Sequence, residues 1–116
     1  MKYLCLIYGD EQRWTGVATE ERERLVAEFG AFNDYIKSSE HYLGSNRLQP
    51  TAAARTVRIR DGQVSATDGP FAETKEQLGG YYLIEADSLE QAAEIAARCP
   101  GARWGSVEVR PVAEAA

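Results

Sequence analysis

One segment of the chain, residues 68–82, brings acidic, basic and conformationally permissive residues together. It reads Asp68-Gly69-Pro70-Phe71-Ala72-Glu73-Thr74-Lys75-Glu76-Gln77-Leu78-Gly79-Gly80-Tyr81-Tyr82. A carboxylate at a strand end that opens into a cleft can serve as a general base, because desolvation raises its affinity for a proton. We therefore take Asp68 as the first candidate catalytic residue. The alternative is structural, since Asp and Gly beside Pro are also common turn residues.

His41 is the second catalytic candidate, because histidine is the side chain that most readily exchanges protons near neutral pH. It is the single histidine of the chain and stands at the start of a predicted short strand, residues 41–44. We expect it to orient Asp68 across the sheet or to act as the acid in the same reaction. A single histidine is also often structural or simply exposed, and the sequence does not give the distance between the two residues.

Five residues of the same segment are candidates for ligand binding: Gly69, Phe71, Glu73, Lys75 and Tyr81. A lysine can hold an acidic ligand, a second carboxylate can assist proton transfer, and a glycine leaves room for a ligand to approach the backbone. These residues are equally compatible with a solvated charge cluster and with aromatic contacts in a core or a dimer interface.

The chain contains no recognisable metal or cofactor motif, so we expect neither a metal nor a cofactor. One histidine and two distant cysteines do not supply a zinc ligand set. The glycines at 79 and 80 lack the Lys-Ser or the helix that a phosphate-binding loop requires. Cys5 and Cys99 stand among apolar residues, and we expect both to be buried thiols in a reducing cytoplasm.

Length and charge narrow the class of protein. A chain of 116 residues predicts a single domain, residues 1–116. The formal net charge of -5 argues against a nucleic-acid partner, because an acidic surface repels phosphates, and the arginines are scattered along the sequence. The N-terminal apolar run is too short for a signal peptide, and no segment reaches the length of a membrane span. We expect a cytoplasmic protein without membrane contact.

The strands that must position the candidate residues follow from apolar patterning. Residues 3–8 and 79–86 are apolar on both faces of a predicted strand, which implies cover on both sides. Residues 56–60 alternate strictly and turn at Asp61-Gly62 into a return strand, which predicts a hairpin. A last strand is predicted around residues 107–109, and residues 9–17 and 67–78 are predicted loops.

Two helices are predicted between these strands. The first has Thr19 as its N-cap and a buried stripe formed by Leu25, Phe29, Phe32 and Ile36. The second begins at a Ser88–Gln91 capping box, and Pro100-Gly101 ends it. The inner face of the second helix is predicted to contain Leu89, Ala92, Ala93 and Ala96.

The order strand-helix-strand, hairpin, strand-helix-strand predicts an α+β subunit with a ferredoxin-like layout. Two helices can cover only one face of that sheet. An uncovered apolar face of this size is rare on a monomer. We therefore expect a homodimer that forms through the sheet face, with a small molecule as the further partner.

Residues 68–82 resemble the signature of the DGPF branch of the YCII-related domain family. The similarity extends to Lys2-Tyr3-Leu4, to Leu48-Gln49-Pro50 and to residues 107–112. The resemblance implies a dimeric α/β barrel, related to muconolactone isomerase-like enzymes and to a dehydrochlorinase of chlorinated aromatic compounds. It also implies a possible regulatory role, because DGPF proteins are often encoded beside extracytoplasmic-function sigma factors.

The chain departs from the His–Asp pair of the short YCII-related proteins. Those proteins carry the histidine within the first helix, whereas residues 19–40 contain none. They carry the aspartate before a proline after the second helix, where this chain has Cys99 before Pro100. The usual pair therefore does not transfer to this sequence.

Two functions from different classes remain open. The first is a cofactor-free enzyme that performs proton transfer, isomerisation or elimination on a small, cyclic or lactone-like metabolite, with Asp68 as the base and His41 as its partner or as the acid. The second is a non-catalytic ligand-binding or regulatory module that senses a small molecule or docks a sigma-factor-type partner. An enzyme needs Asp68 in a dry pocket beside a second titratable group, whereas a structural aspartate would bond to its own loop.

Overall fold

The computed structural model describes residues 1–114, which form six strands, four α-helices and one short 3-10 turn. The strands are β1 (Lys2–Gly9), β2 (Tyr42–Arg47), β3 (Arg55–Arg60), β4 (Gln63–Asp68), β5 (Gln77–Glu85) and β6 (Gly105–Pro111). The helices are α1 (Glu11–Thr15), α2 (Thr19–Ser38), α3 (Leu89–Ala96) and α4 (Gly101–Trp104), and the 3-10 turn is Thr51–Ala53.

Four of the strands form one antiparallel sheet in the order β2-β5-β1-β6. Helix α2 connects β1 to β2 and helix α3 connects β5 to β6, so each βαβ unit spans one intervening strand. This is the predicted ferredoxin-like α+β fold. The β3–β4 hairpin is a separate two-stranded sheet inserted between the two units. Positive φ angles of 52° at Asp61 and 75° at Gly62 form its tight turn, as the sequence predicts.

The core lies between one face of the sheet and helices α2 and α3. Leu25, Phe32 and Ile36 of α2 are buried, and Phe29 is half-buried, so the predicted stripe faces the sheet. The ring of Phe32 meets the ring of Tyr82 edge-on, with centroids 5.1 Å apart. The other large sheet residues in this layer are Tyr3, Cys5 and Ile84. Helical and strand periodicity thus place one apolar set against the other.

The second helix begins as predicted but presents a different face. The Ser88 hydroxyl accepts from the Gln91 amide at 3.1 Å, and the Gln91 side chain accepts from the amide of Asp87 at 2.6 Å. The residues of α3 that face the core are Ala92, Ile95 and Ala96. Leu89 and Ala93, which were predicted to face the core, are exposed. The buried face is centred on Ala92 and Ala96, and Ala93 lies about a quarter-turn away from it.

Three predicted boundaries were wrong for local reasons. Residues 9–17 are not wholly a loop, because the Asp10 carboxylate accepts from the Gln12 amide and starts α1. Thr19 is the first residue of α2 rather than its N-cap, and Ala18 precedes it without a side-chain cap. The 67–78 loop is shorter than predicted, because Asp68 still pairs with β3 and Gln77 already pairs with β1.

Among residues 1–114, no helix packs on the second face of the sheet. Side chains alternate along each strand, so this open face carries Leu4, Leu6 and Tyr8 of β1, Leu78, Tyr81 and Leu83 of β5, and Glu108 and Arg110 of β6. The apolar residues among them are half-buried by one another and by neighbouring strands. None of the helices in the described part of the chain is long and apolar enough to cross a membrane.

We predict that Ile36→Ala lowers the free energy of unfolding by about 2–5 kcal/mol, because it leaves a cavity where the side chain is fully buried. Val26→Ala on the same helix serves as the control, since Val26 is 57 % exposed, and it should change stability by less than about 0.5 kcal/mol. Urea denaturation followed by circular dichroism measures both. Equal effects of the two substitutions would contradict the assignment of the α2 face.

Candidate functional site

The strands of the large sheet meet the candidate loop at one end of the sheet. Gly9 at the end of β1 lies opposite both Gln77 at the start of β5 and Gly105 at the start of β6. Arg47 at the end of β2 lies opposite Gly80. We call this end, formed by the ends of β1 and β2 and the starts of β5 and β6, the Gln77 end of the sheet.

Asp68 is the last residue of β4 and is an exposed carboxylate in the described chain. It lies opposite Arg55 in the hairpin, and its Oδ1 is 3.3 Å from the Arg55 guanidinium. The Asp68 side chain is 86 % exposed in this pair. Neither alternative drawn from the sequence describes this geometry fully, because Asp68 bonds across the hairpin rather than to its own loop or to a group in a dry pocket.

The chain turns at Gly69, directly after Asp68. Its φ of 100° lies in the region that side chains other than glycine rarely adopt. Its amide donates to the Ala54 carbonyl at 2.8 Å, and its carbonyl accepts from the Thr56 hydroxyl at 2.9 Å. Both bonds close the base of the hairpin. The conformation of the chain therefore accounts for a glycine at position 69 without a role in ligand binding.

The rest of the loop is fixed by side chains that sequence reasoning did not single out. The side-chain amide of Gln77 donates to the backbone carbonyls of Ala72 at 3.0 Å and Thr74 at 2.7 Å, and these bonds hold the loop against the start of β5. The Glu76 carboxylate accepts from the Ser106 hydroxyl at 2.8 Å and ties the loop to β6. Glutamine and glutamate at a predicted loop end give no distinctive sequence signal, so only the folded chain reveals these bonds.

The predicted ligand-binding residues occupy different environments. Phe71 is 76 % exposed, and the Arg58 guanidinium lies 5.0 Å from its ring centroid. Glu73 and Lys75 are exposed on the same loop. Tyr81 lies on the open face of the sheet, where its hydroxyl accepts from the Asn46 amide at 2.8 Å. The loop residues and Tyr81 therefore border the Gln77 end, but they do not enclose a cavity within one chain.

His41 lies at the opposite end of the sheet. Its Nδ1 is 2.8 Å from the Glu85 carbonyl oxygen, beside the last residue of β5. A carbonyl can only accept, so Nδ1 carries the proton of this bond and Nε2 is the nitrogen left for other partners. The imidazole borders a cleft of about 250 Å³ between α2 and α3. The other residues that line this cleft are Tyr35, Gln91, Glu94, Ile95 and Arg98.

The structure therefore does not bring Asp68 and His41 together within one chain. Strand β5 has nine residues, Gln77–Glu85, so its two ends are roughly 27 Å apart at the rise of an antiparallel strand. Asp68 leads into the start of β5, whereas His41 bonds at its end. Their pairing stays a prediction that only contacts between two chains could fulfil.

A pair of bonds from α1 joins the base of the hairpin to the sheet. The Glu11 carboxylate accepts from the Thr51 amide at 2.8 Å and from the Thr51 hydroxyl at 2.5 Å. Glu11 follows β1, and the 3-10 turn of Thr51 precedes β3. These bonds fix the start of the hairpin beside the end of β1. No short motif joins two residues forty positions apart, so sequence reasoning missed this contact.

The two thiols are buried, as predicted. Both cysteines are free and lie in the core. Burial raises the pKa of the Cys5 thiol from 9.0 to about 11, and the neighbouring Cys99 adds to that rise. Burial also raises the pKa of Cys99. Within residues 1–114, no group of three or more His, Cys, Asp or Glu side chains is arranged to hold a metal ion.

The chain belongs to the YCII-related domain family, whose pattern matches residues 1–116. It is 43 % identical over 117 residues to an uncharacterised protein of Rhizobium meliloti (strain 1021). That alignment covers 97 % of this chain and 93 % of the relative. The similarity therefore extends over the hairpin and the Gln77 end as well as over the βαβ units.

We predict that stability decreases as the pH rises from about 9 to 11. The unfolded Cys5 thiol ionises first, while the folded thiol keeps its proton up to a pKa of about 11. The stabilisation is complete below pH 9 and is lost through the folded pKa, with a loss of about 2–3 kcal/mol. Urea denaturation at a series of pH values measures it. Cys5→Ala should reduce the slope, and the part that remains comes from Cys99, whose pKa burial also raises. An unchanged slope in that variant would contradict the assignment.

Proposed function

We propose that this YCII-related protein is a cofactor-free enzyme that transfers protons on a small, cyclic or lactone-like metabolite and works as a homodimer. One observation carries the proposal: the open apolar face of the sheet ends at the loop that follows the candidate base, Asp68. A second copy that covers the open face would also close the Gln77 end of the sheet. Catalysis would then occur where the two chains meet.

The surface of the single chain supports the assembly. Its accessible surface is 8117 Å², which exceeds by roughly 1,800 Å² the surface of a typical monomer of this mass. Its radius of gyration is 16.1 Å, against about 13 Å for a compact domain of this length. A standard interface buries about 800 Å² on each partner. The excess surface is therefore ample for a stable dimer.

The β3–β4 hairpin contributes to this excess. Val57 and Ile59 of β3 are each 62 % exposed, and Val64 of β4 is 69 % exposed on the same face of the hairpin. An isolated two-stranded hairpin is marginally stable in water, and its apolar face favours a further layer. The second copy of the chain offers such a layer in its own open apolar face.

Asp68 is the proposed base in this site. Its carboxylate would take a proton from the carbon next to a carbonyl, and the electron pair would move into the carbonyl to give an enolate. Return of the proton to another carbon completes an isomerisation, and departure of a leaving group completes an elimination. Dimerisation would supply the desolvation that a carboxylate base requires, because Asp68 is exposed in the single chain.

His41 can join this chemistry only under one symmetry. Two sheets packed face to face by a two-fold axis along the strands place like ends together. An axis across the strands places the Gln77 end of one copy beside the Glu85 end of the other. Because His41 bonds to the Glu85 carbonyl, the proposed pairing with Asp68 requires the second arrangement.

A non-catalytic role is the second candidate, and the Arg55–Asp68 ion pair favours it. The Arg55 guanidinium lies 3.3 Å from Oδ1 of Asp68 and so occupies an oxygen that a base would have to present to its substrate. In this role the protein would bind a small molecule as a sensor or act as a regulatory module beside a sigma factor. The same dimer would form, and the Gln77 end would hold a ligand without converting it.

We predict that the protein sediments as a dimer of two 12.8 kDa chains at micromolar concentration. Leu6→Glu places a charge on the open face and should give a folded monomer, because burial of an unpaired charge opposes association. Val26→Glu on the exposed side of α2 is the matched control and should stay dimeric. A monomeric wild-type chain would refute the assembly, as would equal effects of the two glutamates.

We predict that Asp68→Asn abolishes proton transfer and leaves the fold and the dimer intact. Unsaturated γ-lactones in D₂O serve as probes, and NMR measures the incorporation of deuterium at the carbon next to the carbonyl. Asp61→Asn at the hairpin turn is the control and should keep full exchange. Because the Arg55–Asp68 pair is exposed, its loss should change stability by less than about 1 kcal/mol. Equal exchange by Asp68→Asn and wild type would exclude Asp68 as the base.

A further inference from the structure

Two tryptophans from distant parts of the sequence meet at the Gln77 end of the sheet. Trp14 lies in α1, which follows β1, and Trp104 ends α4, which precedes β6. Their ring centroids are 6.2 Å apart with planes inclined by 75°, an edge-to-face arrangement. Both side chains are half-buried, and the chain contains no other tryptophan. The pair therefore presents aromatic surface to solvent at the end of the sheet.

Three arginines surround this pair. The Arg13 guanidinium lies 4.5 Å from the Trp104 ring centroid, and Arg22 and Arg47 lie 5.1 Å and 5.7 Å from that of Trp14. Arg13 donates to the Trp104 carbonyl at 3.2 Å, and Arg22 donates to the Trp14 carbonyl at 3.1 Å. We call the five residues the Trp–Arg cluster. The arginines are far apart in sequence, so the folded chain creates a basic patch that the sequence does not show.

The three guanidiniums of the cluster form no ion pair in the described part of the chain. Among residues 1–114, the arginines that form ion pairs are Arg55, Arg103 and Arg110, none of which belongs to the cluster. The one acidic residue of α1, Glu11, has both carboxylate oxygens bonded to Thr51. The chain has 18 acidic and 13 basic residues, so three guanidiniums that share one aromatic pair and form no ion pair among residues 1–114 are a local concentration of positive charge. An anion is the ligand that this charge favours.

We propose that the Trp–Arg cluster binds a small planar carboxylate. A guanidinium has five N–H donors along the edge of one plane, and contact with an aromatic ring uses only its face. Arg13 and Arg22 each use one of these donors on a tryptophan carbonyl, and the remaining donors of the edge can meet a ligand. Two parallel N–H groups of that edge match the two oxygens of a carboxylate. The indole rings supply apolar contact for a flat ligand body. The site needs neither Asp68 nor a second copy, so it goes beyond the proposed function.

Benzoate, benzamide and inorganic phosphate are suitable probes for the full-length chain. Because both tryptophans belong to the cluster, their two indole N–H resonances in ¹⁵N spectra report on this site directly. We expect benzoate to shift both resonances saturably. Benzamide, which has the same shape without the charge, should bind at least about tenfold more weakly, and phosphate should also bind more weakly than benzoate.

Arg47→Gln should weaken benzoate binding by about tenfold or more, because it removes a charged donor pair from the site. Arg60→Gln is the matched control on the exposed hairpin and should leave binding unchanged. If Arg47→Gln disturbs the fold, Arg47→Lys keeps the charge without the planar fork and should give a smaller loss.

Several results would overturn the proposal: no saturable shift at about 10 mM benzoate, where even weak sites fill, equal binding of benzamide, or phosphate binding as tightly as benzoate. Equal losses in the Arg47 and Arg60 variants would do the same. The test is separate from that of the proposed function. Benzoate binding by a chain that stays monomeric would refute the dimer and leave this site intact, and a dimer that ignores benzoate would do the reverse.

Discussion

The structure depends on one constraint: two helices must bury the apolar surface of a four-stranded sheet, and they can reach only one of its faces. The buried layer is correspondingly narrow and rests on Phe32 and Ile36 of α2 against Tyr82 and Ile84 of β5. Every strand that contributes to this layer also points alternate side chains the other way. The open face is therefore a direct consequence of the fold, and it carries the half-buried leucines and tyrosines of β1 and β5.

Much of the fold could be predicted because its signals are local and periodic. The 3.6-residue period of α2, the alternation along β3 and the Asp61-Gly62 turn each act within a few residues, and all three are found as predicted. The wrong predictions concern features that depend on contacts between distant segments or on competition between two local conformations. Whether Leu89 or Ile95 faces the core depends on how α3 is rotated on the sheet, and α1 depends on a cap from Asp10 that competes with a loop conformation. A single sequence contains little information on either choice.

The candidate site was harder to predict, because the order and direction of the strands decide which residues meet there, and many of these residues are far apart in the sequence. Residues 68–82 lie where the chain passes from the hairpin to the large sheet. Hydrogen bonds within this segment explain several of its residue types without a ligand. Gly69 closes the hairpin, and Gln77 and Glu76 hold the loop. His41 was predicted to be the proton-transfer partner of Asp68 because it is the single histidine of the sequence. Antiparallel pairing then placed it at the far end of β5, a result that follows from strand direction and that no residue pattern reveals.

The open face and the Gln77 end are continuous, which links assembly to chemistry. Tyr8 lies opposite Leu78, and Leu6 lies opposite Tyr81, so the apolar surface of the open face runs to the loop that follows Asp68. A dimer that covers this surface would remove water from the end of the sheet, where polar groups then interact more strongly. In a single chain the same groups are solvated, and Asp68 has only a surface ion pair. In the proposed dimer, the desolvation that proton transfer requires would therefore come from the layer that covers the open face, rather than from the loop itself.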